Sequence, residues 1–384
     1  MRILLLSAYD AGSHRYWQRA LQSLFPDWNW SILALPARHF AWRVRGNALQ
    51  WAWQERMVLE APYDLLIATS MVDVATLRGL VPALAKLPTL LYFHENQFAY
   101  PESAGTHGQL EAKMVSLYSA LAADTVVFNS IYNKNTYLEG LGALLRRLPD
   151  YAPLSVVDEL EQRSSVLAVP VSVRINTLAN QDLRHCIWSM DIPVGQRPLR
   201  LLWVGRFEYD KGAEGLERIL QRLFARNLDF ELALCGQTFR RRPEVFERIT
   251  MQFGARIVHC GYLEESTDYY RLLAQADIVL STALHEFQGI AVMEAVLAGC
   301  VPLLPQRLAY PEFFPPDYLY MSSPDNPEAE ADNACERLCV MAVAIAAGKL
   351  TPPLLSTVTP QALHIGYRTL ITELCRQHRD GLNG

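Results

Sequence analysis

The chain has 384 residues, 51% of them hydrophobic and 20% charged, with a formal net charge of −5. That length fits two or three soluble globular domains, each with an ample core. The negative balance excludes a general attraction for nucleic acid, so any RNA contact has to come from a local basic patch.

Taken in order, short apolar runs alternate with longer amphipathic stretches. Ile3–Ala8 reads as a buried strand, His14–Phe25 as a helix and Ser31–Leu35 as a second strand. Leu65–Ala68 is a strand, followed by a helical stretch ending near Lys86. Thr89–Phe93 and Thr125–Phe128 are strands, with Gly108–Ala123 helical between them. The alternation then breaks from Pro149 to Pro198, apart from a strand over Val166–Val171; Pro170, Pro193 and Pro198 punctuate the segment as a linker does. It restarts with strands at Leu201–Val204, Phe230–Leu234, Ile257–His259 and Ile278–Ser281. Helices follow them at Glu214–Ala225, Glu244–Phe253, Thr267–Gln275 and Gly289–Ala298, the last closed by Gly299 and Pro302. Gln361–Arg379 is helical. Short strands spaced by helices imply parallel sheets covered on both faces. The expected division is an N-terminal Rossmann-like α/β domain over 1–172, a linker over 173–198, a second Rossmann-like α/β domain over 199–360, and a C-terminal helix over 361–384 that can pack back on the first domain. Ligands of such sheets sit beyond the carboxyl ends of the strands, so two facing domains offer a cleft.

Seven cysteines, odd in number and scattered, fit reduced thiols in a cytoplasm. Cys335 and Cys339 can share a helix face; with no second Cys/His pair nearby they read as small buried residues, not as metal ligands. The apolar run in MRILLLSAYD is too short for a signal peptide, and no run reaches the ~20 residues of a membrane helix, so a cytoplasmic protein without membrane insertion is expected.

Four segments at predicted strand ends carry chemistry. In HEFQGIAVMEAVLAG, Gly289 stands where a helix begins, and a helix N-terminus favours a phosphate. Glu294, one turn inside, can accept from a ribose diol, and Glu286, outside the helix, can meet a sugar; the bland alternative is a core helix with two solvated acids. Trp203–Gly212 follows a strand directly, and its Arg206 and Lys211 can neutralise a diphosphate, or else form a surface cluster with Glu208 and Asp210. Tyr9-Asp10-Ala11-Gly12-Ser13-His14 is a glycine turn that lacks the G-x-G-x-x-G fingerprint of nicotinamide and flavin sites. Tyr92–Pro101 projects His94, Glu95, Asn96 and Gln97 past a strand end. A hydrolase reading of the two glutamates fits poorly: a retaining glycosidase wants its carboxyls ~5 Å apart, and eight helical residues span roughly 12 Å. The one basic and aromatic stretch, Arg38-His39-Phe40-Ala41-Trp42-Arg43-Val44-Arg45 with Trp51 and Trp53 after it, suits an anticodon loop; it suits equally a helix with core tryptophans and solvated arginines. Arg240–Arg242 reads as a solvated loop.

Arg206/Lys211 with Glu286-x7-Glu294 resembles the donor site of retaining GT-B glycosyltransferases of the family 4 type, over roughly Leu199 to Leu304. AYDAGSH, LPARHFAWRVRGNAL, YFHENQFAYP and FNSIYNKNTYL together resemble the tRNA-queuosine mannosyltransferase family and its bacterial relatives. The resemblance implies a GT-B fold, GDP-mannose as donor, and the cyclopentene-diol of queuosine in tRNA-Asp as acceptor, with no metal or other cofactor. It implies that Arg206 and Lys211 hold the diphosphate, that Glu294 binds the ribose, and that Glu286 contacts the transferred sugar with Gln288, Gly289 and Ile290 around it. It places Gly12 and Ser13 on the diphosphate and His94 near the reacting carbon. His14, Glu95, Asn96, Gln97, Arg38, Trp42, Arg43 and Arg45 are the expected acceptor-side residues. Retention follows a front-face route in which the leaving phosphate takes the acceptor proton. Two rivals stand beside this: a family 4-type enzyme with another nucleotide-sugar and a lipid or oligosaccharide acceptor, and a non-catalytic sugar-nucleotide or RNA-binding protein. Base contacts are expected around Gly236-Gln237 and Gly261-Tyr262-Leu263, where nothing separates guanine from uracil.

Overall fold

The computed structural model describes residues 1–100, 109–173, 187–188, 195–238 and 242–383. Two compact units form, one of Met1–Pro170 with Thr357–Gly384 and the other of Val171–Ser356.

In the first unit β1 (Arg2–Asp10) leads into α1 (Gly12–Leu24), then β2 (Asn29–Pro36), α2 (Phe40–Gln54) and a short α3 (Arg56–Leu59). β3 (Leu65–Thr69), α4 (Val74–Leu80), β4 (Thr89–Phe93), α5 (Gln109–Ala122), β5 (Thr125–Phe128), α6 (Ile131–Leu145), α7 (Ser155–Gln162) and β6 (Ser164–Val166) follow. The strands form one parallel sheet in the order β2-β1-β3-β4-β5-β6. β3 and β4 are buried along their whole length, which is why they read as unbroken apolar runs. Helix starts are sequence-coded: Asp73 accepts the amide of Thr76 at 3.1 Å, and Ser130 that of Asn133 at 3.0 Å.

The second unit runs β7 (Leu199–Val204), α8 (Ala213–Ala225), β8 (Phe230–Cys235), α9 (Val245–Phe253), β9 (Ile257–Gly261), α10 (Ser266–Gln275) and β10 (Ile278–Leu280). It continues with α11 (Ile290–Leu297), β11 (Val301–Pro305), α12 (Tyr310–Phe313), β12 (Leu319–Tyr320) and α13 (Pro327–Ala346). Its parallel sheet has the order β12-β11-β10-β7-β8-β9. β7 and β10 are neighbours, Ile278 opposite Leu201, so the loops that leave their carboxyl ends lie side by side.

The last helix, α14 (Pro360–Asn383), belongs to the first unit. Its Tyr367 hydroxyl accepts from Trp17 Nε1 at 3.0 Å and lies 3.0 Å from the Ala168 carbonyl oxygen.

Several expectations need correction. The strand expected over Val166–Val171 is Ser164–Val166 instead; Leu167 still donates to Phe128, but Pro170 has no N–H to extend a ladder. The helix expected to reach Lys86 stops at Leu80, and a 3₁₀ turn takes over at Pro82–Lys86, because Pro82 cannot donate. Helix α11 starts at Ile290, with Gly289 as its left-handed cap at φ +84°. α6, α7, β11, β12 and α13 had no counterpart in the sequence reading. Gly108, Pro101, Pro193, Arg240, Arg241 and most of the expected linker lie outside the described residues.

Candidate donor and acceptor sites

In the second unit, two loops at adjacent strand ends are tied together. The loop after β7 runs through Arg206 to Lys211, and the loop after β10 runs from Ser281 to Gly289. The Asp210 carbonyl accepts the amides of Leu284 at 2.9 Å and His285 at 3.1 Å. Thr282 Oγ1 donates to the Lys211 carbonyl at 3.0 Å and accepts from Trp203 Nε1 at 3.1 Å. The two loops approach so closely that a Cβ on Gly212, at φ +67°, would stand 2.0 Å from the Thr282 carbonyl oxygen.

That closeness brings Lys211 to Glu286. Lys211 Nζ lies 3.0 Å from Glu286 Oε2 and donates to the His285 carbonyl at 3.1 Å. The side chains are only 15% and 24% exposed. Burial alone would lower the ammonium's pKa, but the charges of Glu286 and Asp210 outweigh it and the net shift is upward. Burial would likewise raise the Glu286 pKa, but Lys211 and the amide of Gln288 hold it below the usual carboxylate range. Glu286 Oε1 also accepts the amides of Phe287 at 3.1 Å and Gln288 at 3.4 Å. The pair is therefore charged at neutral pH and fixed in place. Arg206 is held by Glu208 and Asp210, each at 3.0 Å.

Glu294 lies one turn into α11, buried. Tyr269 Oη donates to it at 3.0 Å and Tyr270 Oη at 3.5 Å. Burial, then the Glu294 carboxylate, holds the Tyr269 phenol well above its ordinary range, so it stays a donor. Gln288 and Gly289 are buried and Ile290 half-buried. Tyr310 stands beside Gly289, 3.0 Å from where a Cβ would be, and its hydroxyl lies 2.7 Å from Ser281 Oγ. The loops at Gly236 and Gly261 are neighbours too, the Gly236 amide donating to the Gly261 carbonyl at 2.9 Å.

In the first unit, Gly12 and Ser13 are exposed in the first turn of α1. His14 and His94 are buried and stacked, ring centroids 4.2 Å apart. Burial lowers the His14 pKa to about 4, and burial with the nearby His14 lowers that of His94 well below its usual value; both rings are neutral at pH 7. Glu95 Oε2 accepts from Tyr100 Oη at 3.3 Å, and Gln97 is half-buried.

The structure turns three expected acceptor residues inward: His14, packed under α1 against His94, and Asn96 and Arg43. Asn96 is buried, its amide directed at Asn133 Oδ1 (2.8 Å) and Thr136 Oγ1 (2.9 Å), and its carbonyl accepting the amides of Phe98 and Ala99. Asn133 in turn donates to Asn129 Oδ1 at 2.8 Å, and Asn129 to the His94 carbonyl at 2.9 Å. Asn96 thus shapes the loop that carries His94 and Glu95. Arg43 is buried on the inner face of α2, bonded to Gln50 Oε1 at 2.7 Å. Trp51 is also core, whereas Arg38, Trp42 and Arg45 are exposed. Arg45 pairs with Asp73 at 3.0 Å and Glu111 at 3.3 Å.

Sequence reasoning missed Tyr269, Tyr270, Tyr310 and the Asn129–Asn133 brace. The asparagines lie in the string FNSIYNKNTYL, whose polar excess inside a helix was a signal; the tyrosines had none, because Tyr269 and Tyr270 meet Glu294 25 and 24 residues away and Tyr310 meets Ser281 29 residues away.

Comparison with known proteins decides the family. Residues 2–171 match the model described as tRNA-queuosine alpha-mannosyltransferase N-terminal, and residues 198–338 match glycosyl transferases group 1. A tRNA-queuosine alpha-mannosyltransferase of Drosophila melanogaster is 33% identical over 322 residues, 84% of each chain. This chain belongs to the tRNA-queuosine alpha-mannosyltransferase family. Solved structures agree on the fold. A glycosyltransferase from Rickettsia africae matches with a TM-score of 0.64 at 16% identity, covering 97% of this chain and 98% of its own. Sucrose-phosphate synthase from Thermosynechococcus elongatus matches with a TM-score of 0.63 at 16% identity, covering 100% and 99%. The Anabaena protein HepE in complex with UDP matches at 0.59 and 13% identity, covering 100% of both chains. The family member is thus a glycosyltransferase of the GT-B fold, as its donor motif and front-end strings implied. No described helix is long and apolar enough to cross a membrane.

Proposed function

We propose that this protein transfers mannose from GDP-mannose to a hydroxyl of the cyclopentene-diol of queuosine in tRNA-Asp, with retention of anomeric configuration. The relative that spans 84% of each chain supports the acceptor and the sugar. The observation that carries the chemistry is the Lys211–Glu286 pair, locked at adjacent strand ends next to the head of α11.

In this reading, Lys211 and Arg206 meet the charge that develops on the diphosphate as the sugar C1–O bond breaks, and the free amides at the start of α11 add to it. Charge neutralisation then falls to the protein's own cations, without a metal. Arg206 exchanges its Glu208 and Asp210 partners for phosphate oxygens. Glu286, held ionised, accepts from hydroxyls of the mannose. Glu294, oriented by Tyr269 and Tyr270, accepts from the ribose diol. Gln288, Gly289 and Ile290 line the phosphate and sugar; Gly12 and Ser13 supply exposed amides for the diphosphate; and His94, neutral, contacts the sugar. Glu95 and Gln97 serve the acceptor. The acceptor hydroxyl bonds to C1 on the face the phosphate leaves, and its proton passes to the departing phosphate oxygen.

The test is transfer by the purified protein from GDP-mannose to queuosine-containing tRNA, with the nucleoside read by mass. A gain of one hexose on queuosine, absent with unmodified tRNA, is expected. Transfer from UDP-glucose in its place would overturn the donor assignment, and no gain on tRNA alongside donor hydrolysis would overturn the acceptor.

A further inference from the structure

Of the eight tryptophans, Trp17, Trp28, Trp51, Trp188 and Trp203 are buried and Trp30 is half-buried. The two exposed ones, Trp42 at 56% and Trp53 at 70%, lie on the same helix, α2. They are eleven positions apart, three turns, so they share one face; Leu49, 49% exposed, lies between them, and Met57, 90% exposed, follows in the short helix α3. The position between Trp42 and Leu49 on that face is Gly46. A Cβ there would stand 2.3 Å from Trp42 Cε2 and 2.6 Å from Cζ2. The missing side chain is therefore what lets the indole lie flat on its own helix, with its other face outward. Glycine in a helix interior costs roughly 1 kcal/mol against alanine, and the three atoms nearest to a Cβ here all belong to Trp42.

Charge selects among the partners for such a face. From Arg38 to Met57 the chain carries four arginines and one glutamate, in a protein of net charge −5; Arg43 turns inward, which leaves Arg38, Arg45 and Arg56 on the outside. Arg38 is exposed at one end, Arg45 stands beside Trp42 with Asp73 and Glu111 as its partners, and Arg56 pairs with Glu60 at the other end. Gln50 and Gln54 flank the stripe, too polar to sink into a lipid surface with it. Exposed indoles roughly 16 Å apart, with Arg45 between them and Arg38 and Arg56 beyond, suit unpaired bases, whose faces stack on aromatics while their phosphates meet guanidinium groups.

We infer that the outward face of α2, with Trp42 seated on Gly46 and Trp53 as two stacking platforms, docks the unpaired loop nucleotides of an RNA acceptor. This rests on the tRNA reading above and adds which side chains hold the loop.

The experiment is fluorescence anisotropy of a labelled, queuosine-containing anticodon stem-loop with the full-length protein and its Trp42→Ala, Trp53→Ala and Gly46→Ala variants. Each is expected to raise the RNA Kd about tenfold, the scale of one lost base stack. Trp53→Phe should restore most of the affinity, and donor hydrolysis without RNA should stay unchanged in Trp53→Ala and Gly46→Ala. Gly46→Ala is the sharpest variant, since it keeps both indoles and only lifts one. Kd values within twofold of the parent in Trp42→Ala and Trp53→Ala would overturn the inference. So would loss of binding to phosphatidylserine vesicles with RNA affinity intact, which would assign the stripe to lipid. If RNA binding depends on the indoles but no mannose is transferred, the docking surface stands and the proposed reaction falls; if mannose is transferred and the variants bind normally, the reverse holds.

Discussion

Lys211 and Glu286 are each held by more than the other. Lys211 also donates to the His285 carbonyl, and Glu286 also accepts two backbone amides, so removing either leaves its partner in place. Lys211→Ala is expected to lower kcat by about 10²–10³-fold, the range seen when one donor to a developing anion is lost, with the fold intact by circular dichroism. Unchanged kcat would remove Lys211 from the reaction. Tyr269→Phe acts one step further back. It removes the Tyr269 donor from Glu294 Oε2 and keeps the carboxylate, so the donor KM should rise several-fold while kcat changes little. A fall in kcat at constant KM would show that Tyr269 does something other than orient Glu294. His285 is buried like His14, and burial followed by the Lys211 charge lowers its pKa to about 4. Both histidines fold neutral, so their folded pKa lies below the unfolded value of about 6.5. The stability they contribute is complete above pH ~6.5 and is lost as pH falls towards 4. Urea midpoints should drop over that window, and the slope should flatten in His14→Gln; a flat profile in the parent would refute the assignment.

Elements place these residues by strand order and by two tight turns. β10 lies beside β7, so loops 75 residues apart in sequence become neighbours, and Gly212 lets them touch. Gly212→Ala forces a Cβ against the Thr282 carbonyl in a left-handed backbone, and should cost about 3 kcal/mol or more by chemical denaturation. Gly12→Ala is the control: nothing lies within 4 Å of a Cβ there, so stability should hold. A drop in activity in that variant would then report on the diphosphate and not on the fold. The sequence showed ten of the twelve described strands because parallel strands are buried on both faces and read as apolar runs; β11, interrupted by Pro302 and Pro305, and the two-residue β12 were missed. It showed α6 poorly. Asn133 and Thr136 put polar groups on that helix for the sake of the Asn96 loop, and they blunt the periodicity that would mark it. α2 was legible as a basic and aromatic string, yet its two faces were not separable: Arg43 and Trp51 turn inward while Arg45 and Trp53 turn out.

At the scale of the molecule, the chain builds one parallel sheet, then a second, and returns to the first unit with α14. Tyr367 on α14 meets Trp17 from α1 and the Ala168 carbonyl, and lies 3.2 Å from Tyr92 Oη of β4. Truncation before Pro360 should therefore lower the unfolding temperature of the first unit and leave that of the second in place, as two separable transitions in calorimetry; a single unshifted transition would refute it. By itself the sequence determined the α/β class, the restart of the alternation at residue 199 and the motif Arg206/Lys211 with Glu286 and Glu294, because strand burial and loop chemistry are written in local residue types. Only the tertiary structure decided that Lys211 binds Glu286, that two tyrosines hold Glu294, and which side of α2 is free. Those pairings depend on strand order and helix rotation, which bring together residues that no local pattern connects.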